Sequence, residues 1–487
     1  MKYSLRSILE AAIISILLIP AGLAQSTFGS ITGVVRDPSG AVVPAADVLV
    51  TNEGTALTRR ATSSSAGLFS VPNLDIGTYK VRVSAKGFTS YEREGLVLMA
   101  NQIINVDASL TVGTSTESVE VRAPSPIITT EANDISTSMR GESAQALPLI
   151  GRHAADYGIY TYATLATGMS STSSSPYPVF QGARDTIGVQ ATMDGISVAA
   201  YPQGASPVSV GMEAVQEIKV ETSVAPAEFT TAGNVQVVSK SGTNDFHGAA
   251  FWDYNGNALN ARNFFSPTVP WRVYNNFGAS AGGPIIKNKL FFFADYEGSR
   301  EAAKGTLVET VPLPAWRTGD FTSLGSQVVR DPTTGQPFPG NVIPSNRISP
   351  VSNAVQNYIF PLPNTGATGS LNNNWTKNVI SQTGFTHYNR LDTRADYNVS
   401  GKDTIFARLS WMRMPYYSAG VYPLARIQTR YAQSAVLSYN RVISPSAGSL
   451  VCDSSCRTLI SLEPRAGSRV SSSRAMRSNW FRCTRAT

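Results

Sequence analysis

VQEIKVETSVAPAEFTTAGNVQVVSKSGTNDFHGAAFWDYNGNALNARNFF, residues 215–265, holds two kinds of strand on either side of one turn. Two alternating segments come first, followed by the polar turn Ser241 to Asn244. In the segment after it, Phe246, Trp252 and Tyr254 share one face with Gly248 and Ala250, while His247 and Asp253 fall on the other. Side chains of a strand alternate between its faces, so this segment has an aromatic face and a polar one. The pattern predicts that a small soluble domain ends at the turn and that a membrane-type strand begins after it.

Downstream, the same inside-out alternation recurs. In LFFFADYE, Leu290, Phe292, Ala294 and Tyr296 share a face opposite Asp295 and Glu297. In RLDTRADYNV, Leu391, Ala395, Tyr397 and Val399 oppose Arg390, Asp392, Arg394 and Asp396. A tight turn at Asn398 to Lys402 leads into DTIFARLSW, where Ile405, Ala407, Leu409 and Trp411 form one face. Alternating charges opposite an aromatic-bearing face fit a barrel with lipid outside and a polar lumen better than a solvated sheet. The Pro-rich connection from about Gly298 to Thr383 is predicted to be an outward loop with one strand pair inside it.

Upstream, residues 127–243 read as a compact α/β segment. Within it, QGARDTIGVQATMDGISV pairs a Gly-Ala-Arg loop at Arg184 with a strand that turns at Asp194-Gly195, a dipeptide suited to positive φ. VQEIKVET follows as the next strand. Residues 25–112 show short apolar segments (ITGVVRD, AADVLVTN, LFSVPNL, YKVRVSAKG, IINVDASL) separated by Gly, Pro and Ser, which argues for a small β-sandwich. Residues 113–126 form a Ser/Thr/Glu-rich connector containing Glu117, Ser118, Val119, Glu120 and Val121. Such an extended segment either adds as an edge strand to a partner sheet or is a linker that is merely β-prone. At the N-terminus, Lys2 and Arg6 precede an apolar run and a small-residue site ending at Ala24, the layout of a secretory signal peptide over residues 1–24.

These modules resemble, in order, the parts of an Oar-like TonB-dependent outer-membrane receptor. The start at Gly33 to Asp37, the Gly67-x-Phe69 pair and the Gly77-x-Tyr79-x-Val81-x-Val83 strand are similar to the carboxypeptidase-regulatory-like domain, a non-catalytic prealbumin-like sandwich related to carbohydrate-binding folds. The Arg184 loop, the Asp194-Gly195 turn and the EIKV strand resemble the plug of those receptors, and residues 215–265 resemble the junction between plug and barrel. The resemblance implies a mainly β fold: a prealbumin-like sandwich, a small α/β plug and the incomplete start of a transmembrane antiparallel β-barrel over residues 244–445. It further implies a coupling box at Glu117 to Val121, met by a TonB-type energy-coupling protein, and uptake of a large or scarce solute such as a carbohydrate or a metal chelate. Arg390, Asp392, Arg394 and Asp396 would hold the plug or line the solute path. Outer-membrane lipid would surround the strands.

Other readings compete. Gly278-Ala279-Ser280-Ala281-Gly282 spells a hydrolase nucleophile elbow, but Gly283-Pro284 and a β segment follow where a helix is needed. The three histidines, His153, His247 and His387, stand in no zinc-ligand spacing, so neither a metal nor any other cofactor is expected and the chain is not read as an enzyme. The formal charge of +7 lies largely in residues 446–487, so the body implies no nucleic-acid partner. That tail also carries Cys452, Cys456 and Cys483. It loses the alternation and is expected to be an aberrant, frameshifted or truncated ending, with a basic regulatory tail as the alternative. About six to eight strands fit between Asn244 and Ile443, against the 22 of a plugged transporter. A surface adhesion or envelope-organising protein binding glycans through its sandwich and loops is the main functional alternative. A secreted soluble carbohydrate-binding protein is a third.

Overall fold

The computed structural model describes residues 27–113, 118–121, 135–147, 158–172, 175–180, 189–198, 210–223, 233–262, 268–269, 271–366, 369–380, 387–418, 426–444, 448–462 and 476–486. Strands predominate among the described residues and helices are few, so the fold is mainly β. The expected signal peptide, Glu117, His153 and Arg184 lie outside the described residues.

The first module is a sandwich of β1 (Gly29–Arg36), β2 (Asp47–Asn52), β3 (Thr58–Thr62), β4 (Leu68–Leu74), β5 (Gly77–Ser84), β6 (Ser90–Leu98), β7 (Ile103–Asn105), β8 (Ala108–Ser109) and β9 (Ser118–Val121). One sheet runs β4-β1-β7 with β8 also on β1, and the other runs β3-β2-β5-β6-β9. Ile31, Val35, Val48, Val50, Phe69, Val81 and Val83 alternate inward from both sheets and are buried together. That alternation is why facing apolar rows close into one core. Two strands were not anticipated. TRRAT (β3) hides its alternation behind two arginines, and SYEREGLVL (β6) is interrupted by Gly95 at φ 70°.

The second module contains β10 (Ile135–Arg140), β11 (Met169–Thr172), β12 (Ser175–Phe180), β13 (Val189–Met193), β14 (Ile196–Ser197), β15 (Val215–Ser223) and β16 (Gly233–Ser239). Its main sheet has the order β10-β15-β16-β13-β14. A short helix, Gly141–Ala146, and a 3-10 helix, Gly158–Leu165, pack beside it. β15 and β16 read as alternating strands, yet β16 is buried at every position. The alternation survives in the side chains, while the polar face (Glu217, Lys219, Glu221, Asn234, Gln236) is enclosed as well.

Residues 240–246 then lead to the third module: β17 (His247–Gly256), β18 (Arg272–Ile286), β19 (Leu290–Glu309), β20 (Trp375–Ile380), β21 (His387–Asn398), β22 (Asp403–Ser418), β23 (Arg426–Ser444), β24 (Gly448–Leu462) and β25 (Met476–Ala486). They form one antiparallel sheet in the order β17-β18-β19-β21-β22-β23-β24-β25, with β20 on the far end of β19, and the sheet does not close. Its burial is inverted relative to a soluble sheet. Trp252 is 69% exposed, Leu409 60% and Leu437 53%, whereas Arg408 and Asp295 are each 1% exposed. An apolar face outward and a charged face inward is the arrangement of a strand whose outside is lipid. No helix among the described residues is long and apolar enough to cross a membrane.

Two expectations change here. The outward connection begins at Thr310 rather than near Gly298, because β19 runs on as REAAKGTLVE, whose end pairs with β20. The stretch after Ser446, expected to leave the barrel pattern, continues the sheet as β24 and β25. Backbone pairing explains this: β23 offers a full edge of N–H and C=O groups, which a neighbouring strand satisfies without any side-chain alternation.

The sandwich sits at the short-turn end of the sheet. The Asn244 N–H donates to the Gly54 carbonyl at 2.8 Å, and the turn at Gly401 lies against the Thr58 carbonyl.

Candidate functional site: the charged contact between plug and barrel wall

The β13–β14 turn places Asp194 at φ 49° and Gly195 at φ 79°. Two successive positive φ values make the tight turn that Asp-Gly favours. The Ser239 backbone N–H donates to that carboxylate at 2.8 Å and the Ser239 hydroxyl at 2.9 Å. From the barrel wall, Arg408 Nε approaches to 2.7 Å and the Arg394 guanidinium to 3.3 Å. Arg394 also grips Asp396 at 2.8 Å and lies 4.4 Å over the Phe406 ring. Strand register explains the convergence, since Arg394 and Arg408 are direct cross-strand partners on β21 and β22. Two arginines side by side would repel; the single plug carboxylate between them offsets this.

A second contact lies farther along the same strands. Arg390 donates to the Val210 carbonyl at 3.0 Å, and the Gly211 N–H donates to Asp392 at 3.1 Å. Arg390 stands 3.8 Å from Glu297, which also accepts from the Tyr388 hydroxyl at 2.6 Å. Asp295 faces Asp392 across the β19–β21 ladder. A Cβ at position 211 would come within 2.1 Å of the Asp295 carboxylate, so a larger residue there would have to displace that side chain. Among the described residues no cluster of three metal-ligating side chains forms.

The sequence-derived candidates therefore fall into three groups. Asp194, on the turn it shares with Gly195, meets Arg394 of the wall, which Asp396 also holds, and Arg390 and Asp392 meet plug backbone at residues 210 and 211. Ser118 to Val121 form β9 on the sandwich, away from this contact, with Glu117 and Arg184 undescribed. Sequence reasoning missed Arg408, Ser239 and Gly211. Arg408 carried a usable signal, because it occupies the inward register between the outward Ala407 and Leu409. His247 lies against the inner face, stacked 6.3 Å from Phe293. The Gly-x-Ser-x-Gly run is extended β18, with Ser280 paired to Asp295 rather than at an elbow.

Residues 238–449 match an outer membrane beta barrel domain, and residues 30–111 match a carboxypeptidase regulatory-like domain. Over 296 residues the chain is 28% identical to the TonB-dependent transporter Oar of Myxococcus xanthus, an alignment covering 57% of this chain and 27% of that protein. The chain is an Oar homologue and an outer-membrane protein. It spans about a quarter of the length of the curated Oar protein it matches, 27%. Among solved structures, the outer membrane transporter YddB of Escherichia coli is 10% identical with a TM-score of 0.43, over 67% of this chain and 39% of that one. The siderophore receptor PirA of Pseudomonas aeruginosa is 11% identical with a TM-score of 0.38, over 67% and 41%. A putative carbohydrate binding protein from Bacteroides uniformis is 20% identical with a TM-score of 0.16, over 18% and 42%. The Oar relative is named as a transporter.

The sandwich closes the other side of the plug. Glu217 of β15 accepts from the Ala100 N–H at 3.0 Å, and its burial raises its carboxyl above the ordinary 4.5. Burial likewise raises Asp75 of the sandwich above 3.8. An acid whose folded pKa is raised binds more protons folded than unfolded, so its stabilising contribution is fully present below its unfolded value and is lost as pH rises from there through the folded one. Resistance of the sandwich–plug contact to denaturant is therefore expected to fall as pH is raised from about 4.5 toward neutrality. Glu217→Gln should flatten that dependence, measured by denaturant titration in detergent; an unchanged slope would count against the Glu217 contribution.

Proposed function

We propose that the chain serves TonB-dependent, energised uptake of a large or scarce solute across the outer membrane, with the second module acting as the gate inside the wall of the third. The observation that carries this reading is Asp194, held on a positive-φ turn of the plug and shared by Arg394 and Arg408 of the wall. Such a contact is strong when formed and leaves buried charge when broken, so it suits an element that stays shut until work is done on it. The solute class follows the relatives only as far as their kind: a carbohydrate or a metal chelate. Glu117 to Val121 would receive the energy-coupling protein, with the sandwich on the periplasmic side.

The test is deletion of residues 117–121 from the gene in its own host. Growth on a panel of oligosaccharides and iron chelates, each supplied as the limiting nutrient, is then compared with the intact gene and with a strain lacking the energy-coupling protein. Loss of growth on the same solutes in both altered strains is the expected result. Unchanged uptake of every solute together with altered cell adhesion would replace this reading with that of an envelope-organising protein.

A further inference from the structure

A cavity of about 230 Å³ lies where the sandwich, the plug and the wall meet, at the short-turn end of the sheet. The sandwich lines it with Asp75, from the loop between β4 and β5. Two bonds fix this rim from within: the Tyr79 hydroxyl donates to the Asp75 carbonyl at 2.7 Å, and Asn52 accepts from the Gly54 N–H at 2.9 Å. The Asp75 carboxylate itself is near enough to Arg394 and Asp396 of the wall to feel both charges. From β23 the wall adds Asn440, and its cross-strand partner Thr404 also lines the cavity. Asn440 is 2% exposed, and neither its amide nitrogen nor its amide oxygen has a hydrogen-bond partner. The amide nitrogen of Asn398, on the same lining, is likewise unpartnered. Burying an amide with both ends unpaired is costly, so a lining that keeps one is shaped for a group that pairs with it.

We propose that this joint binds one neutral polyol of monosaccharide size, held between Asp75 of the sandwich and Asn440 of the wall. The site goes beyond the transport reading and stands without it. The charges of the lining select against ions. Arg394 is the single cation among the described lining residues, and Asp396 and Asp194 already engage it, so an anion finds no free positive charge. Arg59 offsets the Asp75 charge and Arg394 that of Asp396, so no bare carboxylate calls for a metal cation. The amide nitrogens of Asn398 and Asn440 would repel one. What remains is a need for donors and acceptors side by side: Asn440 takes one of each, Asn398 an acceptor and Asp75 donors. Neighbouring hydroxyls meet all of these, because each both donates and accepts. Ile76, Ile405 and Phe406 leave apolar patches on the lining, suited to the C–H groups of a ring. The volume falls below the about 300 Å³ at which ordinary ligand cavities begin, which limits the occupant to a single ring. A ligand that spans two modules stabilises the assembled chain by mass action.

The experiment is a calorimetric titration of the full chain in an amine-oxide detergent, which brings no sugar headgroup of its own. The probes are glucose, galactose, mannose and myo-inositol at millimolar concentration, with sodium phosphate and calcium chloride as the opposing ions. Saturable binding of at least one of the four polyols, and of neither ion, is expected. Asn440→Leu and Asp75→Ala should each weaken it by about ten-fold, the loss of a hydrogen-bonded partner in a buried site. Val328→Ala, in the outer connection, should leave it unchanged. Asn440→Leu exchanges an unpartnered buried amide for an apolar side chain of similar volume, so its unfolding midpoint without sugar should hold or rise. That midpoint separates lost binding from lost folding, and Asp75→Ala tests the same site from the other module. Absence of binding by all four polyols overturns the proposal, as does binding that both variants leave intact. Binding of calcium or phosphate that both variants abolish overturns it too, by putting an ion where the polyol is expected.

Discussion

Asp194→Ala is expected to loosen the plug by about 3–5 kcal/mol, the cost of leaving a buried charge without its partner. Arg408 bears most of the loss. Its side chain is 1% exposed, Asp194 is its ion-pair partner at 2.7 Å, and it donates a hydrogen bond to the Ser410 hydroxyl at 2.8 Å. Arg394 suffers less, because Asp396 still holds it. The measurement is denaturant-induced release of the plug in detergent, followed by protease access to residues 210–240. Pairing Asp194→Ala with Arg408→Met should recover much of the loss, since removing both charges leaves an apolar contact of similar volume. A double variant as weak as the single one would show that the strength comes from the turn geometry and Ser239, and not from the ion pair.

Leu409→Arg is expected to cost about 2–4 kcal/mol of membrane stability, the usual penalty for a cation on the lipid face of a barrel near the midplane. Leu409 is 60% exposed and sits within the sixteen-residue strand β22. Beside it, Arg408 and Ser410 point inward and are buried. The penalty should therefore be confined to alternate positions of β22, and Leu437→Arg on β23 should behave the same way. Chemical unfolding from lipid vesicles reads the effect. Equal tolerance of arginine at 409 and at an exposed loop position such as Val328 would contradict a lipid-facing surface.

How much of this was readable from the chain differs by level. The inside-out alternation of residues 290–297 and 390–399 is a local period and needs no partner, so the wall and its faces were legible. The Asp194-Gly195 turn was legible for the same reason, because the two residue types state their φ preference directly. The meeting of Asp194 with Arg394 was not, since it joins residues 200 positions apart and depends on how the plug seats in the wall. Arg408 sat in plain view on the inward register but had no local mark of importance. Gly211 could not be found at all from sequence, because the atom that crowds its site is the Asp295 carboxylate of a later strand. β24 and β25 escaped for the opposite reason: they are strands by backbone pairing, which leaves no signature in side-chain order.

The seven residues 240–246 between β16 and β17 set a geometric limit on any opening. Fully extended, such a stretch reaches about 25 Å, and its N-terminal end is the strand whose last residue, Ser239, shares the Asp194 carboxylate. The corner of the second module that carries the Asp194 contact is thus also the corner tied most directly to the sheet. Opening by wholesale ejection would have to drag this corner to the limit of its leash, whereas swinging the far side, β10 and the helix after it, leaves the leash slack. Under the proposed gating role, a distance ruler between residues 219 and 250 should change little on opening, and one between residues 138 and 250 should change most.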